Sequence, residues 1–481
     1  FFLISGLASL LAHFMALPIA VACLLLLLSF PSHVTAFAVG SNFTLSSNSF
    51  LLNGVPVLIR SGSLHYSRVH PSDWEDRLDR LKAMGMNAVQ FYIPWNYHES
   101  DFQGNIIDFT SPSRDVVRFI EMIGERDMMA LVRPGPYICG EWEFGGLPAR
   151  LLSTPSSPIR TLSLNYMSSV KTWFGHLLPL LTPHLIQNGG PIVMAQVENE
   201  FGSYGDVENN PDDEGYMRSL VDIFRSHLGS DLVLYTTDGG NVGAMRRGSL
   251  PGDDVLTLGD FGPGASISAS IEGQSYMNPE GANPAMCTEY YTGWLTHYGE
   301  ELAATDAGGV VKTLEDMILR DVSFNLYMAH GGTSFGFWSG ANGNGGTDYK
   351  PDITSYDYNS PVGEDGRHGF GSDGLDKYTA IRDLMTKYFE DVPVEPEGKV
   401  VKGYGVVEMG EVSVGGLKDI IGEREVVQES KAVCQEGLGQ RFGLTSYTFT
   451  TGSCNPCNVT LIGLSDYATV YVDGVFLEGW Y

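Results

Sequence analysis

The chain has 481 residues, 43% apolar and 18% charged, a balance that suits a large globular core with room for a second, smaller domain. Its formal net charge is −28, from 29 Lys and Arg against 57 Asp and Glu, so nothing offsets phosphate repulsion and a nucleic-acid partner is argued against. Most of that charge reads as solvated surface, which suits an acidic or extracellular compartment.

The first thirty residues hold no Lys or Arg, and Ala16 to Phe30 are almost wholly apolar. Val34 and Ala36 supply the small-residue pattern of a signal-peptidase site. Residues 1–36 are therefore read as upstream sequence plus a cleaved secretory signal, with Met15 as the initiator and a retained membrane anchor as the alternative. After cleavage no stable membrane association is expected. Asn42-Phe43-Thr44 and Asn458-Val459-Thr460 are glycosylation sequons consistent with that route. With Cys23 in the leader, Cys139, Cys287, Cys434, Cys454 and Cys457 remain, an odd set that leaves at least one thiol free or without its partner. Cys454 and Cys457 read as a local disulfide or unpaired structural thiols.

Residues 37–393 alternate short apolar runs with helical patterns. Strands are predicted at 57–62, 88–93, 129–135, 192–198, 232–237, 255–260, 284–289 and 324–329. Ser72-Asp73-Trp74-Glu75 reads as a capping box that opens a helix ending before Gly85. Residues 114–127, 216–229 and 377–389 place apolar side chains at three- and four-residue spacing, the pattern of amphipathic helices. The segments after the fifth and sixth strands are short and Gly-rich, and their helical signal is weak. Eight β/α steps predict a (β/α)8 barrel rather than an open sheet, because Arg133, Glu200, Asp238 and Glu289 all fall at the C-terminal ends of strands, where barrel enzymes assemble their sites.

From 394 to 481 the pattern changes to short Val-, Gly- and Thr-rich runs, read as an antiparallel β-sandwich or jelly-roll-type domain cut short at its C-terminus. Within it, 404–414 and 441–451 are candidate strands, and Asp473-Gly474 marks a hairpin.

Chemistry concentrates in "IVMAQVENEFGSYG", where Glu198 and Glu200 flank Asn199 at the end of the fourth strand. A charge at such a position is costly unless it is paired or used. Glu289, ending the seventh strand, faces this pair across the barrel mouth. Two opposed carboxylates, one protonated and one ionised, are the equipment of glycoside hydrolysis. The residues alone leave open whether Glu198 or Glu200 partners Glu289.

From about Phe50 to Gly366 the sequence resembles glycoside hydrolase family 35, the β-galactosidases of a large clan of retaining barrel glycosidases. The resemblance rests on "SGSLHYSR", "GMNAVQFYIPWNYHE", "RPGPYICGEWEFGGLPARLL", "QNGGPIVMAQVENEFGSYG", "YYTGWLTHYGE" and "TSYDYNSP" in that order. It implies Glu200 as acid/base, Glu289 as nucleophile, and Asn199 as a ligand of the sugar 2-hydroxyl, leaving Glu198 a structural role. It also implies sugar contacts from Tyr92, Cys139, Gly140, Glu141, Tyr291, Trp294, Tyr327 and Tyr358. Departures from the family pattern are Gly140 where Ala is common, Phe201 where Tyr is frequent, and Ser334 where Asn is usual. The Gly-rich loop 339–354 lacks the Gly-Lys-Ser/Thr of a phosphate loop and bears on aglycone preference.

The 11 histidines show no HExxH or comparable spacing, so neither a metal nor a cofactor is expected. No GxSxG elbow or thiol-protease signature is present. The reading is a secreted or lysosomal/vacuolar retaining exo-β-galactosidase acting on glycans, glycolipids or polysaccharides. The alternatives are the same mechanism on another β-glycoside, such as a glucosaminide, or a non-catalytic galactose-binding homologue.

Overall fold

The computed structural model describes residues 37–481 apart from 154–156, 253–254, 344–347, 399–402, 404, 411–427, 429–430, 451, 453–459, 462–463, 465 and 481. The leader, Cys454, Cys457, the Asn458 sequon and part of the predicted strand 404–414 thus lie outside the described residues.

Eight parallel strands close into one barrel: β1 Arg60–Leu64, β2 Ala88–Tyr92, β3 Met129–Arg133, β4 Ile192–Gln196, β5 Val233–Gly239, β6 Val255–Phe261, β7 Met286–Tyr291 and β8 Ser323–His330. Closure is made by β8 against β1, in the register Phe324↔Arg60, Asn325↔Ser61 and Leu326↔Gly62. Helices α1 Trp74–Ala83, α2 Val116–Gly124, α3 Leu164–Leu181, α4 Pro211–Leu228, α5 Val242–Gly248, α6 Ile267–Met277, α7 Ala307–Leu319 and α8 Lys377–Tyr388 follow the strands in turn. This is the (β/α)8 architecture that the eight apolar runs predict.

Side-chain alternation explains the layering. Val89, Phe91, Ala130, Val132, Ala195 and Leu234 pack outward against Leu78, Ile120, Val170, Leu177 and Phe224 of the helices. Leu131, Met194, Leu256, Leu258 and Met286 belong to a second cluster toward the base of the barrel. Two residues further along each strand the inward position turns polar, to Arg133, Gln196, Asp260 and Thr288. The apolar base fixes the barrel, and the polar layer above it opens to the mouth.

Three details differ from the sequence expectation. The first strand begins at Arg60 because Val55–Val57 belong to a small antiparallel sheet with Phe43–Leu45 and Phe50–Leu52. The capping box does not close: Ser72 lies in a 3-10 turn, its N–H and hydroxyl both engaged with His70 Nδ1, and α1 starts at Trp74. The Gly-rich segments after β5 and β6 do form helices, since Asn241 and Ser266 accept from Ala244 N–H and Ala269 N–H and cap α5 and α6.

Beyond α8, the predicted hairpin forms from Ala468–Val472 and Val475–Trp480, with Asp473 (φ 48°) and Gly474 (φ 81°) in the left-handed turn. Residues 441–450 are irregular rather than extended, with no described strand beside them. They attach to the barrel by side chains. Arg441 Nη1 donates to Glu99 O at 2.6 Å, and Phe442 packs on Phe337 and edge-on to Trp338, centroids 5.7 and 5.0 Å away. Trp338 in turn stacks on Trp142, next to Glu141, at 5.2 Å.

Candidate active site

The mouth is organised around Arg133, which ends β3 fully buried beneath the Tyr92 ring, its guanidinium carbon 4.1 Å from the ring centroid. Arg133 Nη1 donates to Gln90 Oε1 at 3.0 Å, and Nη2 donates to both Asn199 Oδ1 and Glu289 Oε1. Tyr92 Oη donates to the same Glu289 oxygen at 3.1 Å. The Glu289 carboxylate is thereby clamped through one oxygen by a cation and a phenol, and no donor among the described residues reaches its Oε2.

The chain beyond β4 is bent to deliver two consecutive side chains into this space. Glu198 (φ 62°) and Glu200 (φ 42°) both adopt left-handed backbone, costly for residues with a side chain and common at functional sites. Glu198, 1% exposed, is consumed by structural bonds. Arg160 grips it through Nε at 3.0 Å and Nη2 at 2.7 Å, Tyr216 Oη donates at 2.9 Å, and Asn199 N–H donates at 2.7 Å. The structural role expected of Glu198 fits this pairing. Glu200 donates its N–H to Thr237 O of β5 at 3.1 Å, and its partly exposed carboxyl is met by Asn199 Nδ2 at 3.4 Å. Burial, and then the Glu289 charge, push the Glu200 carboxyl up to about 7, with Arg133 opposing. Glu200 is thus an acid near neutrality beside a clamped carboxylate.

A second wall comes from the turn after β3. Cys139, Gly140 and Glu141 run through successive left-handed conformations, φ 56°, 64° and 46°. Arg68 Nη2 holds this turn by donating to Gly140 O at 2.5 Å, and Ser334 accepts from Arg68 Nε at 3.1 Å. Burial pushes the Cys139 thiol up, with the charges of Glu141, Glu200 and Glu289 adding to it, so this sulfur is no thiolate nucleophile. Glu141 Oε2 accepts from Tyr356 Oη at 2.6 Å, and Tyr356 and Tyr327 hydroxyls meet at 3.1 Å. Tyr358 lies edge-on to Tyr327 at 5.5 Å and tilted against Trp294 at 6.1 Å, while Tyr291 meets Trp294 at 5.2 Å. Trp294 is 50% exposed, an aromatic face at the rim.

The loop bearing Tyr356 and Tyr358 approaches so closely that a Cβ on Gly293 would sit 1.6 Å from Tyr358 O, and one on Gly331 1.7 Å from Tyr356 O. Only glycine permits this seat. Lys377 of α8 ties this loop to the end of β7, donating to Asn359 O at 2.7 Å and to Thr292 O at 2.8 Å.

All of the residues singled out as catalytic or sugar-binding therefore converge on one mouth. The sequon Asn42 is exposed beside the small sheet. Sequence reasoning did not assign Arg68, Arg160 or Tyr356, although Arg68 and Tyr356 stand inside two of the quoted motifs. Arg133 and Asp260 stood at strand ends without a role. Among the described residues no group of three or more His, Cys, Asp or Glu could hold a metal ion, and no helix is long and apolar enough to cross a membrane.

A parallel (β/α)8 barrel with an acid and a clamped carboxylate at its C-terminal mouth defines the class of barrel glycosidases. The chain belongs to glycosyl hydrolases family 35, whose sequence model matches residues 49–388. It is 40% identical over 418 residues to Beta-galactosidase 8 of Oryza sativa subsp. japonica, covering 84% of this chain and 59% of that protein. It is 39% identical over 415 residues to Beta-galactosidase 17 of Arabidopsis thaliana, covering 85% of this chain and 57% of that one. Beta-galactosidase of Homo sapiens is 39% identical over 440 residues, covering 89% of this chain and 61% of the human protein. The chain thus spans about three fifths of the length of these curated relatives.

Proposed function

We propose that this protein is a retaining exo-β-galactosidase that releases terminal, non-reducing β-D-galactose from glycans, glycolipids or polysaccharides. The observation that carries the reading is the contrast between Glu200 and Glu289. Glu200 is held as an acid, pushed up to about 7, while Glu289 is clamped by Arg133 and Tyr92 through Oε1.

In the first step Glu289 attacks the anomeric carbon as the bond to the leaving oxygen breaks, and Glu200 gives that oxygen its proton. A galactosyl ester on Glu289 and a free alcohol result. In the second step Glu200, now a carboxylate, takes a proton from water as the water oxygen attacks the anomeric carbon, releasing galactose with its β configuration and restoring both carboxyls. Asn199, aimed by Arg133 and Gln196, is the expected partner of the sugar 2-hydroxyl. Glu141 and the Tyr327, Tyr356 and Tyr358 group supply hydroxyl contacts, and Trp294 an apolar face.

The test is hydrolysis of a panel of aryl β-glycosides, with the anomeric proton of the first-formed product followed by NMR. Galactoside cleavage yielding β-galactose is expected. First-formed α-galactose refutes the retaining mechanism, and a preference for the glucosaminide refutes the substrate. Glu289→Gln is expected to abolish turnover. For routing, we infer passage through the secretory pathway to the exterior or to a lysosome or vacuole, from the apolar leader and the exposed Asn42 sequon. Recovery of the expressed protein without glycan at Asn42, in the cytosol, argues against it.

A further inference from the structure

In barrel order, Glu200 follows β4 and Glu289 lies on β7, and together they divide the ring of strands into two arcs. The arc β8, β1, β2 and β3 carries Tyr327, Tyr92, Arg133 and, beyond β3, Glu141, the side assigned above to galactose. The opposite arc is β5 and β6, and it carries Asp238 and Asp260.

These two acids are not equivalent. Asp238 is occupied: its Oδ1 accepts Gly202 N–H at 2.8 Å and its Oδ2 accepts Ser249 Oγ at 3.3 Å. Asp260 is 5% exposed, yet its Oδ2 is buried without a hydrogen-bond partner. It continues the face of β6 that sends Leu256 and Leu258 into the barrel interior, so alternation aims it into the mouth. Its neighbours in register are Gly239 on β5 and, on β7, the irregular stretch between Cys287 and Tyr290 that contains Glu289. A buried, unpartnered carboxyl oxygen in a native site calls for a ligand.

We infer that Asp260 binds the leaving group, donating a hydrogen bond to a hydroxyl of the sugar that departs when Glu200 protonates the glycosidic oxygen. The assignment rests on the galactosidase reading. Burial first, then the charges of Glu200, Glu289 and Asp238, hold the Asp260 carboxyl well above the ordinary range, with Arg133 opposing. Burial is the foremost of these causes, so the direction favours a carboxyl that keeps its proton and has an O–H to give.

The experiment compares kcat/KM for lactose, whose leaving group is a sugar, with that for 4-nitrophenyl β-D-galactoside, whose leaving group carries no hydroxyl, in the full-length protein. Asp260→Leu and Asp260→Ala remove the donor, and Asp260→Asn keeps a neutral donor. The lactose-to-nitrophenyl ratio is expected to fall at least tenfold in the Leu and Ala variants and less than threefold in the Asn variant. Both substrates read the same preparation, so this ratio does not depend on the fraction that folds. An unchanged ratio in Leu and Ala, or an Asn variant that falls as far as they do, overturns the assignment. A wild-type protein that cleaves neither substrate overturns instead the galactosidase reading beneath it.

Discussion

The Arg160–Glu198 pair offers the sharpest test of how the segment bearing Glu200 is held. Arg160 is 5% exposed and Glu198 1%, and three guanidinium hydrogen bonds join them to each other and to Asn199 O. Arg160→Met removes those bonds and leaves a buried carboxylate with only Tyr216 Oη and Asn199 N–H to satisfy it. Breaking one side of such a pair costs about 3–5 kcal/mol. That is a large share of the roughly 5–15 kcal/mol by which folded domains are stable. Adding Glu198→Gln removes the stranded charge, so the double variant is expected to recover about half of the loss. Urea unfolding monitored by tryptophan fluorescence measures both steps, with reversibility verified first. The same single variant lets Asn199 and Glu200 drift, so kcat falls more than the folded fraction does. A cost below about 1 kcal/mol for Arg160→Met, or a double variant no more stable than the single, refutes the claim that this ion pair fixes the turn.

Three further outcomes follow from the geometry. The proton on Glu200 is needed for the first step and is held to about pH 7, so kcat/KM is expected to fall as pH rises through about 7, toward a tenfold loss per unit. A profile flat to pH 9 contradicts this. Tyr92→Phe takes one of two donors from Glu289 Oε1, a charge-assisted bond worth about 1.5–3 kcal/mol, so kcat/KM on an aryl galactoside is expected to fall roughly 10- to 100-fold with little change in melting temperature. Gly293→Ala would drive a Cβ to 1.6 Å from Tyr358 O, so the Tyr358 loop must move, and a raised galactose dissociation constant in calorimetry is the expected sign. Wild-type affinity in that variant contradicts the seating argument.

Much of this was legible from residue order because it is written in local chemistry. Apolar runs such as Ile192–Gln196 announce a strand buried on both faces, and a carboxylate just beyond marks the mouth. The choice between Glu198 and Glu200 was not legible from spacing. It depends on Arg160, 38 residues away in sequence, swinging in to claim Glu198. The resemblance to the family favours Glu200 by pattern, and the ion pair that occupies Glu198 is consistent with that choice. The capping box at Ser72 misled for a related reason: His70 offers a competing acceptor two residues earlier, and a short motif does not reveal its rivals. Asp260 was visible only as the last letter of an apolar run, since the want of a partner is a property of three dimensions.

The contacts of Phe442 bear on biosynthesis. Trp142, beside Glu141, is backed by Trp338, and Trp338 is backed by Phe442. On the ribosome the barrel strands emerge through residue 330 well before this last aromatic. A nascent chain can therefore bring its eight barrel strands out of the ribosome while the wall behind Glu141 still lacks its outermost brace, Phe442.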